Sequence, residues 1–571
     1  MKFLTSHLAP YKWRMLLGLT IKISGTVAEL FLPVILSYIL DNVIATESIG
    51  RVIFFGGLML LCAFIACICN IVANRMAAHV SMLFSREMRR ELFSKTLLLC
   101  AKDTDEFTIP SLESRITTDT YNVHHFFLMI QRMGVRAPIL LIGGLTISFI
   151  MDSFLALVML ATFPLIFAIV YLISKKGIPL YTRVQRSVDG MVRIVREDTQ
   201  GIRVIKALSK NEYENRRFDE ANRRLSRDER TAGTIMSIPN PVMTLLMNLG
   251  IAGVVALSAT RIANHQSSAA TVIAFMQYFT LISMAMMALS RMFVMFTKCA
   301  ASAKRISDVI ETPSKFFVSE ENEAQSDAHI EFCKVSFSYF GKTNNLDDIS
   351  FSVKHGGSLG IIGATGSGKS TLIKLLIRFY EADSGKILID GKSITSYKKD
   401  ELTAMFGVAM QHDFLYSDSI EENIDFGRKL SREQIERAAK IAQAHDFISA
   451  TEDGYSHLLS PKGTNLSGGQ RQRLLIARAI AANPKILILD DSSSALDYKT
   501  DANLRRALAE EMTETTVITV AQRVSSVKSC DLILVLDNGK IIGKGTHEEL
   551  LLNCPEYKEI SDSQMGGAFV D

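Results

Sequence analysis

The sequence predicts an α-helical membrane domain of six spans fused to a soluble α/β domain built around a phosphate-binding loop. Three observations predict it. Long apolar runs recur before residue 300, separated by basic stretches; a polar segment without periodicity follows; and the remainder carries short apolar strands, helical runs and a glycine-rich loop set between a strand and a helix. At 571 residues, 48% of them hydrophobic, the chain is too long for one compact domain. Residues 1–300 are expected to form the membrane domain, 301–328 a linker and 329–571 the soluble domain.

A spanning helix takes about 20 apolar residues, and six segments qualify: 15–40, 52–73, 135–151, 153–174, 240–259 and 271–296. The first run ends at Asp41 and Asn42 rather than at a small-residue cleavage site, so it is expected to remain as a helix. Arg75, Arg86, Arg89, Arg90 and Lys95 crowd the second connection, and Lys175–Arg230 supplies a denser basic set in the fourth. The positive-inside rule puts both connections, and hence both termini, in the cytoplasm. Their helical, charged pattern predicts that the membrane helices continue beyond the lipid bilayer as amphipathic rods. The stretch Pro313–Ala328, with Ser319, Glu320, Glu321, Asn322 and Glu323, reads as the linker. A formal charge of +4, from 63 basic and 59 acidic residues, is too balanced to point to nucleic acid, and none is expected as a partner. The eight cysteines show no disulfide framework and no metal spacing, and Cys67 and Cys69 read as packing residues within a span.

Ser358–Ile362 reads as a buried strand running into Gly363-Ala364-Thr365-Gly366-Ser367-Gly368-Lys369-Ser370-Thr371, with a helical run from Leu372 to Arg378 after it. Glycines let backbone amides face phosphates, Lys369 supplies a positive charge for the β and γ groups, and Ser370 can ligate magnesium at a helix N-terminus. ATP and Mg2+ are therefore expected. Downstream, the apolar strand Lys485–Leu489 ends in Asp490 and Asp491, and Asp490 is the expected magnesium carboxylate. Between these elements Leu466, Ser467, Gly468, Gly469 and Gln470 open a helix and make a second anion site. Since the domain already has its phosphate loop, the second site is expected to close over ATP held by another subunit.

The order GATGSGKST, LSGGQRQR and ILILDDSSSALD resembles the ATP-binding cassette family. In the upstream half, Arg115–Asp119 and Gly201–Ala207 resemble the intracellular loops of its exporters, so the resemblance spans nearly the whole chain. It implies an exporter half-transporter, an integral multi-pass protein of a bacterial cell membrane that hydrolyses ATP in the cytoplasm to move its substrate. It also implies that Tyr339 stacks on adenine, that Gln411 touches magnesium and senses the membrane domain, and that Asp497 links the two nucleotide sites. Coupling contacts are expected within Ser111–Asp119 and Lys206–Glu214.

The sequence departs from the family at the hydrolytic positions. Asp491 stands where the family has glutamate, one methylene shorter, and a misplacement near 1 Å can cost on the order of a hundredfold in rate. Gln522 stands at the switch histidine and cannot become a cation near neutral pH. Ser460-Pro461-Lys462-Gly463 replaces a Gly-Glu-Arg-Gly segment common in exporters. The phosphate loop, Tyr339 and the signature are intact, so the changes spare binding and strike hydrolysis. The expected assembly is a heterodimer, in which the partner half-transporter supplies a competent glutamate and histidine and this chain supplies its signature.

Lys22 and Glu29 lie seven residues apart on one face of the first span, and Asn248 and Gln277 add polarity to the fifth and sixth. All four are candidate lining for a cavity that takes hydrophobic or amphiphilic drugs, lipids or peptides. The sixth span adds Met276, Met284, Met286, Met287, Met292 and Met295, a soft apolar surface. A self-sufficient homodimer, a siderophore importer of the same fold and an ATP-gated channel are the competing readings.

Overall fold

The computed structural model describes residues 7–264, 266–313, 318, 327–339, 341–411, 413–492 and 494–565; Ser319–Glu323 of the expected linker lie outside them. The chain divides into two compact units, Met1–Leu97 with Thr108–Thr312, and Leu98–Phe107 with Pro313–Asp571.

The first unit is helical, built from α1 (Lys12–Tyr38), α2 (Ile49–Leu97), α4 (Ile109–Met151), α5 (Ser153–Gln200), α6 (Ile202–Ala207), α7 (Asn211–Ala263) and α8 (Ala269–Ile310); α3 (Ala101–Phe107) belongs to the second unit. Among the described residues five helices are long and apolar enough to cross a membrane, where the sequence predicts six. The difference is the segment expected at 153–174. Among the described residues that segment contributes only the apolar stretch Ser153–Leu165, at the head of the 48-residue α5. Asp152 starts that helix by accepting from the Phe154 and Leu155 amides and is paired with Arg261 of α7 at 3.1 Å.

Ile53, Leu60, Phe64 and Ile71 on α2 point outward, as an apolar solvent permits. Leu30, Leu140, Leu155, Met159, Phe275, Phe279 and Ile282 form the interior, where the Tyr278 hydroxyl donates to the Leu30 carbonyl at 2.7 Å. Gly25 lets α1 approach α2, because a Cβ there would stand 2.7 Å from that of Cys69. Cys69 is thus a packing residue; Cys67 is exposed.

The second unit has two sheets. The strands β1 (Ile330–Phe337), β2 (Leu346–Val353), β4 (Ser384–Ile389) and β5 (Lys392–Ser393) form an antiparallel sheet in the order β2-β1-β4-β5. The other, in the order β10-β9-β3-β8-β7-β6, uses β3 (Ser358–Gly363), β6 (Phe406–Ala409), β7 (Ile486–Asp490), β8 (Thr516–Val520), β9 (Leu532–Asp537) and β10 (Lys540–Gly545). Within it only β10 pairs antiparallel. Parallel strands covered on both faces read as continuous apolar runs, and every residue of β7 is buried. A second core, with Leu415, Ile424, Ile435, Ile448 and Leu474, gathers the helices between β6 and β7. The segment of the first intracellular connection that packs into this unit is Leu98–Phe107, earlier in the chain than the expected Ser111–Asp119. Ala101 lies against the first core and Asp105 accepts from the Tyr380 hydroxyl. Asp119 is instead buried in the first unit, where it accepts from Ser302 at 2.8 Å and pairs with Arg305 at 2.5 Å.

Candidate nucleotide site

The site begins where β3 ends. Its apolar residues are buried in the sheet, and the chain leaves it at Gly363 to wrap around the N-terminus of a helix, α9 (Lys369–Leu376). Gly368 has φ +104, and a Cβ there would stand 2.7 Å from Leu346 Cδ2, so only glycine fits the turn. The first-turn amides of α9 have no carbonyl partner within the helix and are free for an anion. The Lys369 ammonium donates to the Gly363 and Ala364 carbonyls, each at 2.8 Å. Burial lowers its pKa, against the pull of Asp491 and Asp490.

The strand β7 delivers Asp490 to the same place, 2% exposed, with the Ser370 hydroxyl donating to its Oδ1 at 3.3 Å. Burial is the largest influence on this carboxyl and raises its pKa; the Ser370 bond and Lys369 oppose that rise and Asp491 adds to it. A buried carboxylate facing a hydroxyl and held near a lysine is an oxygen-donor set suited to a hard cation.

Asp491 sits at φ +50, a left-handed conformation that a non-glycine residue seldom takes. Its amide donates to the Val520 carbonyl at 2.9 Å. Its Oδ2 accepts two amide protons, from Gln411 Nε2 at 3.0 Å and from Gln522 Nε2 at 3.1 Å. Gln522 is held in turn by Gln564 of the C-terminal helix, α12 (Pro555–Met565), whose Nε2 donates to the Gln522 carbonyl at 2.8 Å while its Oε1 accepts from the Val524 amide at 2.8 Å.

Thr365, Gly366, Gly368, Lys369, Ser370, Thr371, Gln411, Asp490, Asp491 and Gln522 thus line one cavity of about 270 Å³. Asn345, Val520 and Ala521 also line it; they and Gln564 were not read from the sequence, since none sits in a motif. Tyr339 does not line this cavity. Its hydroxyl donates to Thr371 Oγ1 at 3.3 Å, its ring meets Phe337 and Tyr380 edge-on, and it faces a neighbouring cavity.

The signature residues lie elsewhere. Ser467 caps α10 (Gly468–Ala481) by accepting from the Gln470 amide at 3.2 Å, and Gln470 Oε1 returns the bond from the Ser467 amide at 2.9 Å. Around Gly468 there is open space, and Leu466 packs against the helical core. Asp497 caps α11 (Tyr498–Glu511) through the Thr500 amide at 2.8 Å, and bonds from Thr500 lower its carboxyl pKa. Lys462 in the Ser460–Gly463 segment has φ +62 and its carbonyl accepts from Arg471 at 3.5 Å.

In the membrane unit, Lys22 is buried and donates to Asn70 Oδ1 at 2.7 Å and Asn74 Oδ1 at 3.1 Å, and Glu29 pairs with Arg136 at 2.6 Å. Both of these candidate cavity residues are engaged by neighbouring helices, the costly charges having found partners. Asn248 is exposed and Gln277 half-buried.

Comparison with known proteins agrees with this arrangement. The family model described as ABC transporter transmembrane region matches residues 15–286, and the one described as ABC transporter matches residues 346–494. An uncharacterized ABC transporter ATP-binding protein of Mycobacterium tuberculosis is 31% identical over 99% of this chain and 98% of its own length. Another, YfiB of Bacillus subtilis, is 34% identical over 98% of each. Among solved structures, a bacterial Atm1-family ABC exporter with ATP bound superposes with a TM-score of 0.83 at 22% identity, covering 99% of both chains.

Proposed function

The chain belongs to the ATP-binding cassette transporter family, and we propose that it is one half of a heterodimeric exporter, binding ATP at a degenerate site of its own and completing its partner's competent site. The exporter-type membrane domain fused to an ABC nucleotide-binding domain, and ATP hydrolysis coupled to transport, come with the family. The observation that carries the finer reading is the environment of Asp491. Its shortened carboxylate accepts from two uncharged amides, and one of them, Gln522, occupies the switch position. A base tied by two donors is a weaker proton acceptor, and an amide cannot stabilise developing phosphate charge as an imidazolium can.

Residues 1–300 serve as the membrane domain and 329–571 as the cassette, with the nucleotide domain and termini in the cytoplasm of a bacterium; the expected linker 301–328 is shortened at its start, because α8 runs on to Ile310. The fourth span, expected at 153–174, is the one opened by Ser153–Leu165, and α5 continues without a break to Gln200. ATP phosphates fit the Gly363–Thr371 loop, and Ser370, Gln411 and Asp490 suit the Mg2+ that neutralises their charge. Lys369 then exchanges its two loop carbonyls for phosphate oxygens. Tyr339 supplies an aromatic face for adenine once it turns from Thr371. Leu466–Gln470 present the N-terminus of α10 to ATP on the partner, and Asp497 stands between the two sites. Leu98–Phe107 carries closure toward the membrane helices. A second contact comes from around α6, where Val204, Leu208 and Tyr213 are exposed apolar residues that suit the partner's cassette. The substrate is hydrophobic or amphiphilic, and Asn248 and Gln277 are the remaining polar candidates along its path.

The test is ATP hydrolysis by the purified chain alone and together with the half-transporter encoded beside it. Near-zero turnover alone with strong turnover in the pair is expected. Brisk turnover by the chain alone would replace the heterodimer with a homodimer in which aspartate suffices.

A further inference from the structure

At the end of the strands opposite the nucleotide pocket, three side chains from three separate turns converge. His329 immediately precedes β1, His355 lies between β2 and β3, and Asp390 lies between β4 and β5. The two imidazole rings stack with centroids 4.1 Å apart and planes 14° from parallel. His355 Nε2 is 3.0 Å from Asp390 Oδ1, and His329 Nε2 is 3.7 Å from the same oxygen. One donor atom from each residue lies within 4.8 Å of the other two.

The tautomer of His329 follows from Thr516. The Thr516 hydroxyl stands 3.4 Å from the Lys354 carbonyl, to which it donates, and accepts from the Gly356 amide at 3.2 Å. With that proton on the carbonyl, the hydroxyl accepts from His329 Nδ1 at 2.6 Å, the ring proton lies on Nδ1 and Nε2 presents a lone pair. His329 is 1% exposed, and that Nε2 is buried without a hydrogen-bond partner among the described residues. It faces Asp390 Oδ1, the oxygen that His355 also approaches. Lys485 stands 4.0 Å from the other Asp390 oxygen and does not fill the gap.

We propose that His329, His355 and Asp390 form a binding site for a divalent transition-metal ion of the zinc type, with a fourth position open to water. Bond lengths of about 2.0–2.2 Å in a tetrahedral site separate neighbouring donor atoms by about 3.4 Å, and the two nitrogen–oxygen distances straddle that value. His355 is 63% exposed and is the ligand free to swing into place. Thr516 is the outer partner that fixes the tautomer of a metal-binding histidine. Two imidazoles exclude magnesium and calcium, which prefer oxygen alone, so the ion is distinct from the one that accompanies ATP. A metal here fastens the first strand of the cassette to the two turns beside it.

The test uses the full chain in detergent, freed of any histidine tag, stripped with chelator and titrated with zinc chloride in the presence of magnesium, by calorimetry and by thermal unfolding. One zinc per chain and a raised Tm are expected. His355→Ala, an exposed substitution that leaves the fold intact, and Asp390→Asn are each expected to weaken binding by at least about tenfold and remove the Tm rise. Cobalt substituted for zinc is expected to give the absorption of a tetrahedral nitrogen–oxygen site in the unmodified chain alone. Failure of the unmodified chain to bind zinc, or equal binding by all three proteins, overturns the site.

Discussion

The phosphate loop and the signature loop both present a helix N-terminus suited to an anion, and they are built on different plans. The first closes a cavity of about 270 Å³, with Lys369 tied to its own loop's carbonyls and the buried Asp490 beside it. The second leaves Ser467 and Gly468 exposed. Ser467 and Gln470 satisfy each other's amides, and Gly468 faces open space. A lone lysine and buried carboxylate make a site that can hold a nucleotide by itself; a capped and uncovered helix end makes half of a site. The same local physics thus serves two roles, and what separates them is whether the surrounding chain supplies walls.

The largest expected effects separate the two regions outright. Lys369→Ala removes the cation that faces the phosphates and is expected to weaken ATP binding by this chain about a hundredfold or more, measured with a fluorescent nucleotide. Ser467→Arg fills the open helix end. It is expected to leave that binding within about twofold while cutting hydrolysis by the assembled pair on the order of a hundredfold, the scale on which a lost anion donor acts. If Ser467→Arg weakened ATP binding by the isolated chain as Lys369→Ala does, the two regions would be parts of one site and the comparison would break.

A smaller effect sharpens the comparison from the side of the phosphate loop. Asp491→Glu with Gln522→His restores the missing methylene and the titratable ring, and is expected to raise hydrolysis at this chain's own pocket by about 10- to 100-fold. Gln522→His alone is expected to recover little, because the carboxylate at 491 stays one methylene shorter than glutamate. Equal recovery by the single substitution would locate the defect in the switch position and clear Asp491.

The parts of the site that were legible in the sequence are local. Gly363–Thr371, Asp490 at a strand end and the helix start at Leu466–Gln470 each lie within a few consecutive residues, where spacing alone dictates backbone geometry. What joins them was not legible. Asp491 meets Gln411 across 80 residues and Gln522 across 31, and Gln564 reaches back 42 residues to hold Gln522. The same holds in the membrane unit, where the partners of Lys22 are 48 and 52 residues away and that of Glu29 is 107 away. Hydropathy predicts that a charge in a span needs a partner and does not say which.

The smallest expected effect concerns stability and carries a sign. Asp490 has a carboxyl pKa raised by burial, so the folded protein holds this proton more tightly than the unfolded chain does. Stability is therefore lost as pH rises from the ordinary carboxyl range, about 3.9, through the raised native value, and the full cost is present at neutral pH. Asp490→Asn keeps the shape and an oxygen to accept from Ser370, and it removes the buried charge. Without nucleotide the variant is expected to melt about 2–4 °C above the parent at pH 7, with the difference shrinking as pH falls through the raised native value and vanishing well below about 3.9, where the parent carboxyl is protonated in both states. With MgATP the order reverses, because a ligand that binds only the folded state stabilises the parent and has lost its metal contact in the variant. A variant that melted below the parent at pH 7 without nucleotide would mean that the carboxylate's bond from Ser370 and its attraction to Lys369 outweigh its burial, and that the pocket is held together by the charge instead of strained by it.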